Sequence, residues 1–208
     1  MKHCGLLGRK LGHSYSPAIH GLLADYDYRL YEKEPEEVAD FLQNGDFTAI
    51  NVTIPYKKAV LPFCSWVSPA VQRIGSANTL VKRENGWHAY NTDYAGFRYL
   101  VESSGCPIKG EKVLVLGSGG ASLAVCAALE DMEAGQIVVV SRSGENHYGN
   151  LHLHKDAAVL VNTTPVGMYP NVTASPVNLD DFPACRAVFD LIYNPARTEL
   201  MMQAERKG

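Results

Sequence analysis

The chain has 208 residues, of which 46% are hydrophobic and 20% charged, and its formal net charge is -3 at pH 7. These values are ordinary for a globular protein, and the slightly acidic balance excludes the broad basic surface of a nucleic-acid-binding protein. No apolar run approaches the roughly 20 residues that span a bilayer, and the first residues lack the charged and apolar regions of a signal peptide. We therefore expect a cytoplasmic chain with neither a membrane nor a nucleic-acid partner.

Short strands and helices are predicted for the first half. Ser16 suits a helix cap and Pro17 a first turn, and Asn44-Gly45 is typical of a helix end. In chain order, the pattern predicts a strand over 2–8, a helix from 16 to about 24, a strand over 28–31, a helix over 34–43, a strand over 47–53, hairpin strands over 77–82 and 87–90, and a helix that Thr92 or Asp93 caps and that ends near 103.

The pattern changes after a breaker-rich stretch at 105–110, where we place a domain boundary that gives domains 1–106 and 107–208. Beyond it, the pattern predicts strands over 112–116, 136–140, 157–161 and 187–191, and helices ending near 131 and over 197–206. Strands that are apolar throughout and alternate with helices imply a parallel sheet covered on both faces. The predicted fold class is α/β.

The five cysteines are scattered, odd in number and without a C-x-x-C pair. This pattern favours neither a zinc site nor a disulfide framework. We expect no metal, and we expect these residues to behave as small buried apolar side chains. They are Cys4, Cys64, Cys106, Cys126 and Cys185.

A glycine-rich loop over 117–122 follows an apolar strand and opens a helix. In that context glycines allow a tight turn and close approach to a pyrophosphate, and the helix N-terminus attracts the anion. The third position of the fingerprint is Ser122, which is still small. The loop therefore predicts a Rossmann-like dinucleotide site in the second domain.

The end of the next strand distinguishes NADP from NAD. An NAD site places an acidic residue there, whereas an NADP site supplies a cation for the 2′-phosphate. Here the strand ends in Val140-Ser141-Arg142-Ser143, with no carboxylate and one arginine. The planar guanidinium of Arg142 suits a phosphate, so we predict NADP.

Polar clusters in the first half are candidates for a substrate site, and each also has an ordinary structural explanation. Ser14 and Ser16 flank a predicted helix start and could bind a carboxylate, although Ser16 could simply be the cap. Lys57 is predicted to lie in a first helical turn, where the helix dipole disfavours a lysine, which suggests another use. Asn78 lies in a predicted strand and needs partners if it is buried.

A lysine and an aspartate together suit carbonyl reduction. Hydride transfer to a ketone requires a proton for the developing alkoxide, and Lys57 and Asp93 can supply it. Asp93 could equally be a helix cap. Amides and hydroxyls such as those of Asn51 and Thr53 can hold a polyhydroxylated ring.

Seven segments, in order along the chain, resemble the shikimate dehydrogenase family. They are 8–20, 51–57, 77–79, 91–93, 117–122, 162–168 and 190–195. The resemblance spans nearly the whole chain, and several of these motifs are specific to the family. It implies an N-terminal α/β substrate-binding domain, a Rossmann-like NADP-binding domain, and a monomer or homodimer.

The resemblance implies NADPH-dependent interconversion of 3-dehydroshikimate and shikimate in aromatic amino-acid (chorismate) biosynthesis. Lys57 and Asp93 are then the catalytic pair, and which of them transfers the proton stays open. The substrate-binding residues it implies are Ser14, Ser16, Asn51, Thr53, Asn78, Asp93 and Tyr193. The cofactor-binding residues it implies are Gly117, Ser118, Gly119, Gly120, Ala121, Ser122, Ser141, Arg142, Ser143, Thr163, Thr164, Met168 and Ile192.

Two departures from the family pattern define the alternatives. The family has a second arginine soon after this position, whereas here Gly144-Glu145-Asn146 follows; a weaker NADP preference is therefore expected, and a quinate/shikimate dehydrogenase that also uses NAD is one alternative. The family sequence continues past Gly208 with a glycine beside the nicotinamide and a glutamine beside the substrate. Without that segment we expect slow turnover or none, which makes a catalytically silent NADP-binding module the other alternative.

Overall fold

The structure is a computed structural model that describes residues 3–12, 14–23 and 25–208. Lys2 of the first predicted strand and Ala24 of the first predicted helix lie outside the described residues. The strands are β1 (His3–Gly8), β2 (Asp27–Glu32), β3 (Ala49–Val52), β4 (Cys64–Val67), β5 (Thr79–Arg83), β6 (Gly86–Tyr90), β7 (Lys112–Leu116), β8 (Gln136–Val140), β9 (Val159–Asn162) and β10 (Ala187–Asp190). The helices are α1 (Ser16–Leu23), α2 (Val38–Asn44), α3 (Pro69–Ile74), α4 (Asp93–Ser104), α5 (Gly120–Asp131) and α6 (Glu199–Lys207).

The chain forms two compact α/β units, Met1–Asp93 and Tyr94–Gly208. The predicted α/β fold class is confirmed. All of helix α4 after its first residue, Asp93, groups with the second unit, as does the breaker-rich stretch at 105–110. The domain boundary that the sequence places near residue 106 stays a prediction.

The first unit is built on a mixed sheet with the strand order β2-β1-β3-β5-β6-β4. The predicted hairpin is confirmed, because β5 and β6 pair antiparallel. On β3, Ile50 and Val52 are buried in the core, whereas Asn51 lies between them and points to the other face. The sheet therefore has one apolar face, packed against α2, and one face that carries polar side chains.

Two elements between residues 64 and 74 were not predicted. Strand β4 has four residues without clear alternation, so the sequence contains little to identify it. Helix α3 does have ordinary signals. Ser68 caps it by accepting a hydrogen bond from Val71 N–H at 3.2 Å, Pro69 opens it, and Gly75 ends it in the left-handed conformation.

The predicted helix over 34–43 is shorter than expected. Its first part, Pro35–Glu37, is a 3-10 turn, and the α-helix begins only at Val38. A capping box in which Glu37 accepts the backbone N–H of Glu34 tightens this turn.

The second unit contains a four-stranded parallel sheet with the order β10-β9-β7-β8. Alternate residues of β7 belong to different apolar clusters: Val113 and Val115 to one, Leu114 and Leu116 to the other. Both faces of the sheet are therefore covered, as predicted.

The predicted alternation of strands with helices is wrong for two of the three connections in this sheet. Only the connection from β7 to β8 contains an α-helix; Leu151–His154 and Leu179–Asp181 are 3-10 turns. In the connection from β8 to β9, Asn150 accepts the N–H of His147 at 2.8 Å and donates to the carbonyl of Glu145 at 2.9 Å. Such side-chain bonds to the backbone compete with helix formation.

Folding stability is expected to decrease in mild acid because of His154. This residue is 9% exposed, its Nε2 lies 3.0 Å from Asn146 Oδ1, and its Nδ1 has no partner among the described residues. Burial lowers its pKa, and the positive charge of Lys112 lowers it further. A lowered pKa stabilises the fold above the unfolded value of about 6.5, and that stability is lost as the pH falls through the folded value.

Urea unfolding between about pH 7 and about pH 5 measures this effect. The free energy of unfolding should fall more steeply in the wild type than in His154→Gln. His152→Gln removes an exposed histidine from the same turn and should keep the wild-type slope. Equal slopes in all three proteins would contradict the assignment.

The described cysteines are free thiols, and they are half-buried, whereas full burial had been expected. Burial raises the pKa of Cys64 and Cys126 to about 11, so these thiols stay protonated and inert near neutral pH. No helix in the described part of the chain is long and apolar enough to cross a bilayer.

Candidate active site

An ion pair between Lys57 and Asp93 lies at the centre of the polar cluster in the first unit. Lys57 Nζ donates to Asp93 Oδ2 at 2.5 Å, and the two side chains are 14% and 31% exposed. The structure therefore joins the two predicted catalytic residues, which are 36 positions apart in the sequence. An ammonium has three donors, so Lys57 can hold Asp93 and a ligand oxygen at the same time.

Lys57 does not lie in a helix, and that prediction is wrong. Residues 54–60 form successive turns, with Tyr56 N–H bonded to Thr53 O at 2.9 Å. Pro55 disfavours helical backbone at the residue before it, and Pro62 follows soon after, so the segment is too short for a regular helix. The carbonyl of Lys57 accepts a hydrogen bond from Ala77 N–H at 2.7 Å, which fixes this turn to the sheet.

Asp93 is held by an anchored turn at the start of α4. Its N–H donates to Asn91 Oδ1 at 3.0 Å, and buried Asn91 donates to Ser76 O at 2.9 Å. A carboxylate in the first helical turn is also favoured by the helix dipole. Asp93 therefore has both a helix-starting role and a place in the polar cluster.

Asn78 ties Asp93 to the sheet. Its Nδ2 donates to Asp93 Oδ1 at 2.9 Å and to Thr92 Oγ1 at 2.8 Å. Its Oδ1 accepts from Thr92 N–H at 2.9 Å and from the Thr79 hydroxyl at 3.1 Å. All four hydrogen-bonding positions of this amide are occupied within the chain.

The two serines near α1 have different contacts from those expected. Ser16 is the first helical residue, and its N–H donates to Ser14 Oγ at 3.2 Å. Ser14 therefore provides the capping oxygen that the sequence assigned to Ser16. The Ser16 side chain hydrogen-bonds Tyr28, which opposes the effect of burial that raises the pKa of Tyr28 to about 12.

Thr53 and Tyr193 are the remaining substrate-binding residues that the sequence predicted. Thr53 follows β3 by one residue and is half-buried, and its hydroxyl has no partner in the described part of the first unit. Its N–H is fixed by Leu7 O at 2.9 Å. Tyr193 lies in the second unit after β10 and is 61% exposed.

Three residues on this polar face were missed by sequence reasoning. Tyr28 donates to Asn51 Oδ1 at 2.8 Å, and Thr79 accepts from Asn51 Nδ2 at 3.2 Å. His20 stacks on the Tyr28 ring with centroids 3.8 Å apart and also hydrogen-bonds the Tyr26 hydroxyl. Thr79 lies within the segment 77–79 that resembles the family, but its contact with Asn51 depends on the pairing of β5 with β3.

In the second unit, the glycine loop connects β7 to α5 and has little room for side chains. Gly117 has φ +107, and a Cβ there would lie 2.8 Å from Thr163 Oγ1 and 2.9 Å from Thr164 Cγ2. The N-cap residue of α5 is Gly119, which has no side chain, and the space around it is open. A backbone that a phosphate can approach, at a helix N-terminus, fits a pyrophosphate.

Substitutions in this loop separate folding from cofactor binding. Gly117→Ala should lower the free energy of unfolding by roughly 1–3 kcal/mol, because the positive φ and the close threonines both oppose a Cβ. Gly119→Ala has an ordinary φ of -81 and open space, so its stability should match the wild type while NADPH binding weakens. Urea unfolding and NADPH fluorescence titration measure the two effects. A stable Gly117→Ala protein would contradict the packing argument.

The rest of the glycine loop leads directly into helix α5. Ser118 is exposed, and Gly120, Ala121 and Ser122 begin α5. Ser122 is buried and donates to Gly119 O at 2.6 Å. The small residue at this position therefore permits close packing of helix and strand, as the sequence indicated.

The strand-end segment Ser141, Arg142 and Ser143 turns sharply after β8. Ser141 N–H donates to Asn146 O at 3.0 Å, and Ser141 bridges His147 in parallel. Arg142 is exposed and forms no ion pair or hydrogen bond within the described part of the chain. His147 was not singled out from the sequence, yet it lies opposite Ser141.

The loops after β9 and β10 are tied together near the glycine loop. Buried Asn162 accepts from the Thr164 hydroxyl at 2.7 Å and donates to Asp190 Oδ1 at 3.1 Å, which also accepts Ile192 N–H at 3.0 Å. Thr163 donates to Leu116 O at 2.7 Å. Thr163, Thr164 and Ile192 therefore share the carboxyl edge of the sheet with the glycine loop.

Met168 lies further along the loop after β9, and its side chain is 45% exposed. A separate cavity of about 410 Å³ includes Val159 and Ala187, the first residues of β9 and β10. It is therefore at the amino ends of the strands, whereas ligands of open parallel sheets bind at the carboxyl ends. We do not assign it to the cofactor.

Comparisons with known proteins agree with this geometry. The family model for the shikimate dehydrogenase substrate binding domain matches residues 6–80. Shikimate dehydrogenase (NADP(+)) of Caldicellulosiruptor bescii is 36% identical over 236 aligned positions, which cover 100% of this chain and 82% of that protein.

Solved structures extend the comparison to the fold. Shikimate dehydrogenase 1 of Peptoclostridium difficile has a TM-score of 0.91 at 33% identity and covers 100% of this chain and 84% of its own. Shikimate 5-dehydrogenase of Thermus thermophilus, in complex with NADP(H) and shikimate, has a TM-score of 0.84 at 32% identity, covering 100% of this chain and 85% of its own. The resemblance inferred from the motifs is confirmed: this chain belongs to the shikimate dehydrogenase family.

Proposed function

We propose that this chain is an NADP-dependent oxidoreductase that interconverts 3-dehydroshikimate and shikimate, acting on a CH–OH group. The observation that carries the proposal is the partly buried Lys57–Asp93 pair on a polar sheet face, at 2.5 Å. We further propose that it acts in the cytoplasm, in aromatic amino-acid (chorismate) biosynthesis.

The first unit binds the substrate. Ser14 and Ser16 at the start of α1 receive the carboxylate, because hydroxyls near a helix N-terminus suit an anion. Asn51, Thr53 and Asn78 hold the ring hydroxyls, with Asn78 exchanging its bond to the Thr92 hydroxyl for one to the ring. A contact from Tyr193 to the ring stays a prediction from the sequence.

Lys57 and Asp93 manage the proton. During reduction, the carbonyl oxygen gains negative charge and takes a proton from the pair; during oxidation, the pair takes the hydroxyl proton back. The ammonium of Lys57 can donate to that oxygen while it remains bonded to Asp93. Asn78 holds the carboxylate in place throughout, and Asn91 holds the backbone N–H of Asp93.

The second unit binds the cofactor, which supplies or accepts the hydride when it is bound. The residues over 117–122 hold the pyrophosphate at the α5 N-terminus. Arg142, with Ser141 and Ser143, holds the adenosine ribose and its phosphate. Thr163, Thr164, Met168 and Ile192 line the nicotinamide side.

The test is nicotinamide absorbance with shikimate or quinate, each paired with NADP or NAD. The proposal predicts that NADP is reduced with shikimate, and that the rates for the other pairs are much slower. Comparable rates with quinate and NAD would favour a quinate/shikimate dehydrogenase. Tight NADPH binding without reduction by any pair would overturn the enzymatic proposal for this chain.

A further inference from the structure

We infer that Thr79 and Tyr28 are positioning residues of the substrate site, because they fix the Asn51 side chain so that it presents an N–H, and not an oxygen, to the substrate. The meaning for shikimate rests on the proposed function. The arrangement of side chains in the unliganded chain does not depend on it.

The hydrogen bonds run in one direction across the polar face of the sheet. The Tyr28 hydroxyl donates to Asn51 Oδ1 at 2.8 Å, and Asn51 Nδ2 donates to Thr79 Oγ1 at 3.2 Å. The Thr79 hydroxyl then donates to Asn78 Oδ1 at 3.1 Å. Asn78 Nδ2 donates to Asp93 Oδ1 at 2.9 Å. Every link donates toward the carboxylate of Asp93.

Thr79 sets the direction at the middle of this chain of bonds. A threonine hydroxyl has one proton, and Thr79 uses it on Asn78. It can then only accept from Asn51, so Nδ2 of Asn51 must face Thr79.

Tyr28 sets the same orientation from the other side. Burial raises the pKa of Tyr28 to about 12, so its hydroxyl is protonated and able to donate to Asn51 Oδ1. The two ends of a carboxamide are nearly equal in shape, so its hydrogen bonds decide which end is which.

The remaining hydrogen-bonding capacity of Asn51 follows from these partners. The Tyr28 hydroxyl occupies Oδ1, and Thr79 occupies one hydrogen of Nδ2. The second Nδ2 hydrogen has no partner within the described residues and is the group left for a ligand. Asn51 is therefore a donor to a substrate oxygen, and a flipped amide would present an acceptor instead.

The test compares Thr79→Val with Thr79→Ser in the full chain. Valine has nearly the same shape and suits a strand, but it removes both hydrogen bonds, whereas serine keeps the hydroxyl. We expect Thr79→Val to raise the KM for shikimate roughly five- to tenfold, with kcat changed by less than about twofold. Thr79→Ser should stay within about twofold of the wild type, and NADPH binding should be unchanged in both. Equal losses in the valine and serine variants would mean a packing role and overturn the inference.

A second measurement needs no substrate. In ¹⁵N NMR spectra of the unliganded protein, the Asn51 side-chain amide signals are identified by their loss in Asn51→Asp. They should move, and exchange faster with water, in Thr79→Val and in Tyr28→Phe, but not in Thr79→Ser. Unchanged signals in Thr79→Val would overturn the inference. If the signals behave as expected while the wild type neither binds nor oxidises shikimate, the positioning role stands and the proposed function fails.

Discussion

Lys57→Ala is expected to lower kcat for shikimate oxidation by about 100- to 10,000-fold, the range of a lost general acid–base group. The substitution removes the Nζ donor that lies 2.5 Å from Asp93 Oδ2. It also leaves a carboxylate that is only 31% exposed without its cation. The measurement is the initial rate of NADPH formation at saturating shikimate and NADP.

Lys58→Ala is the matched control. Lys58 is the next residue in the same turn, is exposed and forms no ion pair within the described residues. Its removal takes away the same charge from the same segment, so kcat should match the wild type. Loss of activity in both variants would indicate damage to the turn, and a Lys57→Ala protein with wild-type kcat would contradict a role in proton transfer.

Arg142→Ala is expected to weaken NADPH binding by roughly 10- to 100-fold and to leave NADH binding nearly unchanged. A hydrogen bond to a charged group contributes about 1.5–3 kcal/mol, and each 1.4 kcal/mol is a factor of about ten in affinity. Arg142 is exposed at the end of β8 and has no partner within the described chain that would compete for its guanidinium. Fluorescence titration with each cofactor gives the two dissociation constants.

The control for Arg142 is Arg83→Ala, which removes an exposed arginine from the end of β5 in the first unit. Affinity for both cofactors should be preserved in that variant. If Arg142→Ala weakened the binding of NADPH and of NADH equally, the assignment of a phosphate contact would be wrong. In that case His147, which bridges Ser141, is the next residue to substitute.

The strands of the second unit were predicted well because their signal is local. β7 and β8 coincide with the predicted ranges, since each is a continuous apolar run bounded by turn residues. The 3-10 turns in the connections from β8 to β9 and from β9 to β10 were not predicted. Side-chain hydrogen bonds to the backbone favour such turns, as at Asn150. Which backbone conformation results depends on how the whole loop closes.

The polar residues of the candidate site could be named from the sequence, but their arrangement could not. Ser14, and not Ser16, provides the capping oxygen of α1. Lys57 lies in a turn between two prolines. Tyr28 and Thr79 were missed because they meet Asn51 only through the strand order β2-β1-β3-β5. Their separations from Asn51 are 23 and 28 residues, and pairing at that range is not specified by local pattern.

The central claim is that this chain reduces a ring ketone with NADPH while Lys57 and Asp93 handle the proton. The most direct measurement is to add 3-dehydroshikimate and NADPH to the purified chain and to quantify the products by chromatography. The account predicts one shikimate formed for each NADPH consumed, and no such reaction in Lys57→Ala on the same time scale. NADPH that is bound but not consumed by the wild-type chain would contradict it.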